Sequence, residues 1–286
     1  MGAYYEPFNI TVDSVLDRII KVRNGDNLMG GISSGFKKID RRTKGLHPGD
    51  LIVIGARPAM GQTELVLSIM HHVAICSGVP VAYYTLRDSK EELTGRLIAM
   101  DALVDYYQGV RGMPSESEME RIKESAVRIS HAPIQIYDRG YYGLKTIRNN
   151  CWDYTRNQKI GLVIIDDSFM EMLKETNHKH RGNGLKSIAM EMGVPIIVTL
   201  KAPRSIEKRK CHYPLVTDFY KKDADVICCS DVEMLLYRDD YYNNESPKPG
   251  ILEVIFQFNR YGATGSEELI YQDRYSRVAD YEGKYN

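Results

Sequence analysis

The chain has 286 residues, 43% hydrophobic and 27% charged, a soluble globular composition with room for one α/β domain plus extensions or for two small domains. Lys plus Arg and Asp plus Glu balance at 38 each, so bulk charge neither demands nor excludes a polyanionic partner, and a nucleic-acid surface has to be a local patch. The five cysteines lack a C-x-x-C pair, no apolar run nears the ~18 residues of a membrane span, and no signal-peptide pattern appears; a disulfide framework, a zinc site and a membrane anchor are disfavoured, and a reducing, cytoplasmic setting is expected.

In chain order, residues 11–22 carry apolar side chains at 12, 15, 16, 19, 20 and 22, which predicts a short amphipathic helix with Thr11 or Asp13 as its N-cap. The run Arg23-Asn24-Gly25-Asp26-Asn27 stops it and makes a flexible connector. A helix on such a connector packs either on its own domain or on a neighbouring subunit. The simplest division is an arm over 1–29 and one domain over 30–286. Residues 30–49 have little periodicity and many turn residues. An apolar run at 51–54 predicts a buried parallel strand, followed by a loop opened by Gly55 and closed by Gly61, and a helix over 64–74. Further strands are predicted at 81–86, 133–137, 161–166 and 194–200, between helices at 91–103 (capped by Ser89), 114–129, 144–159 and 185–192. This alternation predicts a parallel sheet covered on both faces. Beyond residue 200 the pattern changes. Strand-like runs at 233–237, 251–258 and 267–271, with the turn-rich 242–250 between the first two, predict antiparallel hairpin strands at the end of the sheet.

The chemistry sits in the 51–63 stretch. Strand, glycine-bounded loop and helix form a phosphate-cradling P-loop of the pattern G-x-x-x-x-G-K-[ST], in which Gln62 stands at the lysine. The loop amides make an anion nest at a helix N-terminus. Gly55, Arg57, Pro58, Met60, Gly61, Gln62 and Thr63 are therefore the candidate nucleotide-binding residues. The Thr63 hydroxyl is the candidate ligand for Mg²⁺, and Asp166, closing the apolar strand about a hundred residues later, is the candidate to hold that metal through its water shell. The expected cofactor is ATP or ADP with Mg²⁺. Asp167 is either a water-orienting acid or a solvated strand-end acid. His131, His178 and His180 make no convincing metal set.

Five segments carry further information: ISSGFKKIDRRTKGLHPGDL at 32–51, ARPAMG at 56–61, LKSIA at 185–189 with Val194-Pro195, LYRDDYY at 236–242 and NRYGATG at 259–265. Together they resemble a known family, the replicative hexameric DNA helicases of the DnaB type, in their RecA-like C-terminal motor domain. The resemblance covers about residues 10–275. It implies a RecA-like P-loop NTPase fold, a ring of subunits, nucleotide bound between neighbours and single-stranded DNA in a central channel. The helix at 11–22 falls where the family has a linker helix that docks on the adjacent subunit, so a helicase ring is the implied partner.

The resemblance fails where hydrolysis occurs. Gln62 replaces the P-loop lysine. Arg87 stands where the family has the glutamate that activates water, and Phe258 where a neighbour's lysine contacts the γ-phosphate. Arg260 keeps the place of the arginine finger. Lys201-Ala202-Pro203-Arg204 replaces a nucleotide-sensing Ser-Gln pair. A neutral amide cannot offset phosphate charge, and an arginine cannot accept a proton. Arg87 and Gln62 lie at the same sheet edge, so Arg87 can supply the charge lost at position 62 and permit binding without turnover.

Lys201, Arg204, Lys208, Arg209 and Lys210, with Lys221 and Lys222, are the candidate DNA-binding cations. The first reading is a helicase-family domain that has lost most or all ATPase activity and acts by binding. Its rivals are an active helicase using Asp167, Arg87 and Arg260 in altered roles, and a recombinase-like filament protein on the same fold.

Overall fold

The computed structural model describes residues 7–24, 30–140, 143–157, 160–176 and 180–282. The first element, α1 (Phe8–Arg23), carries the stripe seen in the sequence, and its Val12, Val15, Leu16, Ile19 and Ile20 side chains remain 40–56% exposed. Among the described residues nothing covers that stripe. The next element, α2 (Lys37–Thr43), rises from the segment where the sequence predicts only turns. Its anchor is a local side-chain network joined to one core contact. Asp40 accepts hydrogen bonds from Ser33 Oγ at 2.7 Å and from Ser34 N and Oγ at 2.9 and 2.7 Å, while Ile39 is fully buried.

There follow β1 (Leu51–Ala56), α3 (Gln62–Met70), β2 (Val81–Tyr84), α4 (Lys90–Ala102), α5 (Glu116–Ser130), β3 (Ile134–Tyr137), α6 (Leu144–Asn157), β4 (Leu162–Ile165), α7 (Asp167–Thr176), α8 (Arg181–Met192) and β5 (Ile196–Lys201). The caps are local. Ser89 Oγ accepts from Glu92 N at the start of α4, and Ser115 with Glu118 closes a capping box on α5. After α9 (Tyr220–Ile227) come the strands β6 (Val232–Tyr237), β7 (Ile251–Asn259), β8 (Gly265–Gln272) and β9 (Arg277–Asp280), with one helical turn at Asp239–Tyr242 between β6 and β7. The elements α7, α9 and β9 have no counterpart among those expected from the sequence.

The nine strands of the described residues form one sheet in the order β3-β2-β4-β5-β1-β6-β7-β8-β9. Strands from β3 to β6 run parallel, and β7, β8 and β9 add antiparallel. Alternate residues of β1 serve opposite faces. Ile52 and Ile54 pack with Leu65, Val66 and Ile69 of α3 and Leu93 and Leu97 of α4. Leu51 and Val53 pack with Phe169 and Leu173 of α7, Leu185 and Ile188 of α8 and Val226 of α9. Each fully buried side chain of this size contributes about 1.5–3 kcal/mol of transfer free energy, so β1 is held on both faces. No helix among the described residues is long and apolar enough to cross a membrane.

Candidate functional site

β1 delivers the chain to the edge where the parallel strands end, at the point where the chain leaves for β2 on one side and β6 flanks the other. The loop from there into α3 is bent by two left-handed residues, Ala59 at φ 66° and Gly61 at φ 83°. A side chain at 61 would also meet Tyr271 Cε2 at 2.9 Å, so glycine is required there twice over. For Ala59 the left-handed conformation costs about 1–2 kcal/mol. It is held by Arg238, whose Nη1 donates to the Ala59 carbonyl at 3.3 Å and whose guanidinium lies 3.8 Å over the Tyr271 ring.

Gly55 corrects the expected loop boundary. It lies inside β1 in register with Leu200 and Leu235, and an added Cβ would come within 2.5 Å of Phe219 and 2.7 Å of Leu235. Its smallness serves packing. Ala56, five positions before Gly61, stands at the first glycine of the pattern. Met60 is likewise buried in the core rather than at the cavity. Arg57 and Pro58 do line the cavity. The Arg57 guanidinium, however, turns to Glu207 at 2.6 and 2.9 Å and to the Ala202 carbonyl at 2.9 Å, bracing the loop against the segment after β5.

Gln62 is folded back onto the sheet. Its Nε2 donates to the Ile54 carbonyl at 2.6 Å and to the Leu200 carbonyl at 3.2 Å. Thr63 Oγ1 accepts from Arg87 Nη2 at 3.2 Å, Arg87 Nη1 donates to Asp167 Oδ1 at 3.0 Å, and Arg87 Nε lies 3.5 Å from Asp88 Oδ2. Burial opposes charge on Arg87, but Asp167, Asp88 and Asp166 outweigh it and raise its pKa above the usual value. Arg87 is therefore a cation committed to carboxylates, contrary to the expectation that its charge is free to replace the one missing at 62. These groups surround a cavity of about 230 Å³ at the loop mouth, also lined by Arg96 and Lys201.

The two acids exchange their expected places. Asp166 is 2% exposed and does not line the cavity. It is the N-cap of α7, with Oδ1 accepting from Phe169 N at 3.0 Å and Ser168 Oγ at 2.6 Å. Burial pushes its carboxyl pKa up, against the hydrogen bonds that favour its charge. Asp167, by contrast, faces the cavity from the first turn of α7, buried and tied to Arg87 rather than solvated. The metal set Thr63 with Asp166 thus does not assemble. The hydroxyl is 3.2 Å from a guanidinium nitrogen, and Asp166 is buried outside the cavity lining, its Oδ1 used in capping α7 and its Oδ2 without a hydrogen-bond partner among the described residues. A divalent cation does not fit this donor set. Among the described residues, no group of three or more His, Cys, Asp or Glu side chains is arranged to hold a metal ion; His178 lies outside those residues.

Arg260 lies at the opposite end of the sheet. Its Nη1 is 2.9 Å from Asp231 Oδ1, and the same carboxylate accepts from Leu51 N at the start of β1 and from Lys186 Nζ. Burial opposes charge on Asp231, but Lys186, the Leu51 amide and Arg260 hold its carboxyl pKa below the usual range. With the P-loop at the other end of β1, Arg260 cannot reach the cavity of its own chain. Its side chain is 63% exposed, and Phe258 on β7 is exposed near it.

The cations expected at DNA divide in two. Arg209 is bound to Asp218 at 2.9 and 3.1 Å and to the Tyr213 carbonyl at 2.7 Å, so it ties the segment together. Lys201 ends β5 and lines the P-loop cavity instead. Arg204, Lys208 and Lys210 are exposed around a short 3₁₀ turn, Arg204–Lys208, and Lys221 and Lys222 are exposed at the start of α9. Asp88, Arg96 and Tyr271 also line the cavity. No pattern in the sequence marks them, because they come from separate elements.

A P-loop between the central strand β1 and the helix α3 of a mostly parallel, doubly covered sheet defines a P-loop NTPase-type domain of RecA-like fold. Residues 31–280 match the family profile of the DnaB-like helicase C terminal domain. The chain is 28% identical to the "Replicative DNA helicase DnaB" of Leifsonia xyli subsp. xyli, across 96% of this chain and 62% of that protein. It is 26% identical to the protein of the same name from Geobacillus stearothermophilus, across 100% of this chain and 64% of that one. It thus spans less than two thirds of the length of these relatives. The solved structure of "A DnaB-Like Replicative Helicase And Its Interactions With Primase" shares the fold, with a TM-score of 0.82 at 24% identity over 94% of this chain and 66% of that one. The chain belongs to the DnaB-like helicase C-terminal domain family.

Proposed function

We propose that this chain is a replicative-helicase-family domain that works in DNA replication by binding, with ATP hydrolysis impaired or absent. The observation that carries this reading is the Arg87–Asp167 pair at 3.0 Å. Where a carboxylate would activate water there is a guanidinium, which accepts no proton, and it neutralises Asp167, the acid that faces the cavity from α7. Gln62 adds no charge, and its amide is engaged by the Ile54 and Leu200 carbonyls. Loss of one preorganised stabilising group costs about 3–4 kcal/mol, or 10²–10³ in rate. Two such losses in one site make efficient turnover untenable even if they do not add.

What remains suits binding. The loop amides at the α3 N-terminus favour a phosphate-bearing nucleotide such as ATP or ADP. Arg260, exposed at the far end of the sheet, is suited to a neighbouring subunit's cavity, and the uncovered stripe of α1 to docking on a ring partner or a second copy. Arg204, Lys208, Lys210, Lys221 and Lys222 offer cations to a single-stranded DNA backbone. The test is ATP turnover with and without single-stranded DNA, in the wild type and in Thr63→Ala. Background turnover in both is expected. DNA-stimulated turnover that Thr63→Ala abolishes would overturn the reading in favour of an active helicase.

A further inference from the structure

We infer that the P-loop cavity is a metal-independent site for a phosphate-bearing anion, in which Lys201 supplies the mobile cation missing at position 62 and Arg87 occupies the place of a divalent cation at Thr63. The inference rests on the nucleotide-binding part of the function proposed above.

Three of the four cations that line the cavity are committed. Arg57 is paired with Glu207, Arg96 with Glu64, and Arg87 with Asp167 and Asp88. Lys201 differs. It is exposed, and among the described residues its ammonium has no carboxylate within ion-pair distance. It stands in register with Ala56, the last residue of β1, so it leaves the sheet edge beside the mouth of the loop. The carbonyl just before it, on Leu200, accepts from Gln62. The amide at 62 and the ammonium at 201 therefore emerge from neighbouring points of one strand end. An ammonium on a flexible four-carbon stem acts on phosphate as a point charge from whichever backbone position lets it reach. The neighbouring strand is such a position.

Arg87 completes the change. Its guanidinium joins the Thr63 hydroxyl to the Asp167 carboxylate at 3.2 and 3.0 Å. A divalent ion on that hydroxyl would stand beside a fixed positive charge with Asp167 already engaged by it, a repulsion that a partly buried site screens poorly. A nucleotide carrying its own Mg²⁺ brings this conflict with it. A free di- or triphosphate does not, and it meets the Lys201 ammonium, the N–H groups of Arg87 that its bonds to Asp167 and Thr63 leave over, and the amides at the start of α3.

The experiment is calorimetric titration of the whole chain with ADP and with inorganic pyrophosphate, in excess Mg²⁺ and in EDTA, for the wild type, Lys201→Ala and Arg87→Ala. Thermal melts confirm that each variant is folded. The expected result is wild-type binding in EDTA at least as tight as in Mg²⁺. Lys201→Ala should weaken it by about tenfold to a hundredfold, the range of a charge-assisted hydrogen bond. Arg87→Ala should weaken it in EDTA and recover with Mg²⁺. Wild-type binding that needs Mg²⁺, or an unchanged affinity in Lys201→Ala, would overturn the inference and leave nucleotide binding standing. Binding under neither condition would overturn both.

Discussion

The Gln62 side-chain amide lies 2.6 Å from the Ile54 carbonyl, so the residue at the P-loop lysine position lines the cavity but commits its amide nitrogen to the end of its own strand. Two hydrogen bonds of this kind, at about 1 kcal/mol each, make Gln62 a structural residue. Gln62→Ala should lower unfolding free energy by about 1–2 kcal/mol in urea titration while changing ADP affinity little. A large loss of affinity with unchanged stability would count against this role.

Asp166 is expected to act through the fold. Asp166→Ala removes the α7 N-cap and should cost about 1 kcal/mol, within the usual range for that loss. Asp166→Asn keeps an accepting oxygen and removes a buried carboxylate whose burial is unfavourable to charge, so it should be no less stable than the wild type at neutral pH. Chemical denaturation of the pair distinguishes capping from charge.

Asp231 sets a pH dependence of known sign. Its carboxyl is held below the usual range in the folded protein, so its contribution is present above the unfolded value, roughly pH 4, and is lost as pH falls through the folded one. Asp231→Asn weakens the bonds from Lys186, Leu51 N and Arg260 and should cost about 2–3 kcal/mol at pH 7. The difference between variant and wild type should shrink steadily below roughly pH 4. A difference that stays constant as acid is added would assign the effect to packing.

The α1 stripe makes assembly testable. Leu16→Asp with Ile19→Asp places charge on an exposed apolar face, where it should leave the melting temperature of the domain unchanged. Light scattering should then show a smaller species than the wild type forms at the same concentration. Identical masses across a concentration series would remove α1 from any self-association.

The basic segment should separate by role. Replacing Arg204, Lys208 and Lys210 together by alanine should weaken single-stranded DNA binding evenly across sequences and flatten its salt dependence, the signature of phosphate contacts. Arg209→Ala should instead lower stability, because its guanidinium holds Asp218 and the Tyr213 carbonyl. Fluorescence anisotropy at several salt concentrations reads the first effect, and a thermal melt the second.

Local chemistry determined much of this molecule. The apolar runs at 51–54 and 161–166 and the serine caps of α4 and α5 are each decided by neighbours in the chain, and each is readable there. So were the parallel sheet with its antiparallel end and the identities at 62, 87 and 258. Tertiary structure decided what those identities do. The helix α2 exists because Asp40 gathers Ser33 and Ser34 and Ile39 finds the core, contacts that turn-rich sequence does not announce. Gly55 belongs to packing against Phe219 rather than to the loop, and Asp166 and Asp167 exchange roles because one caps a helix and the other faces Arg87. The lysine that lines the phosphate cavity is Lys201, brought beside Ala56 by the pairing of β5 with β1 from a distant part of the chain. Spacing in the sequence specifies which groups a segment carries. Only strand order and register determine which groups from distant segments share one cavity.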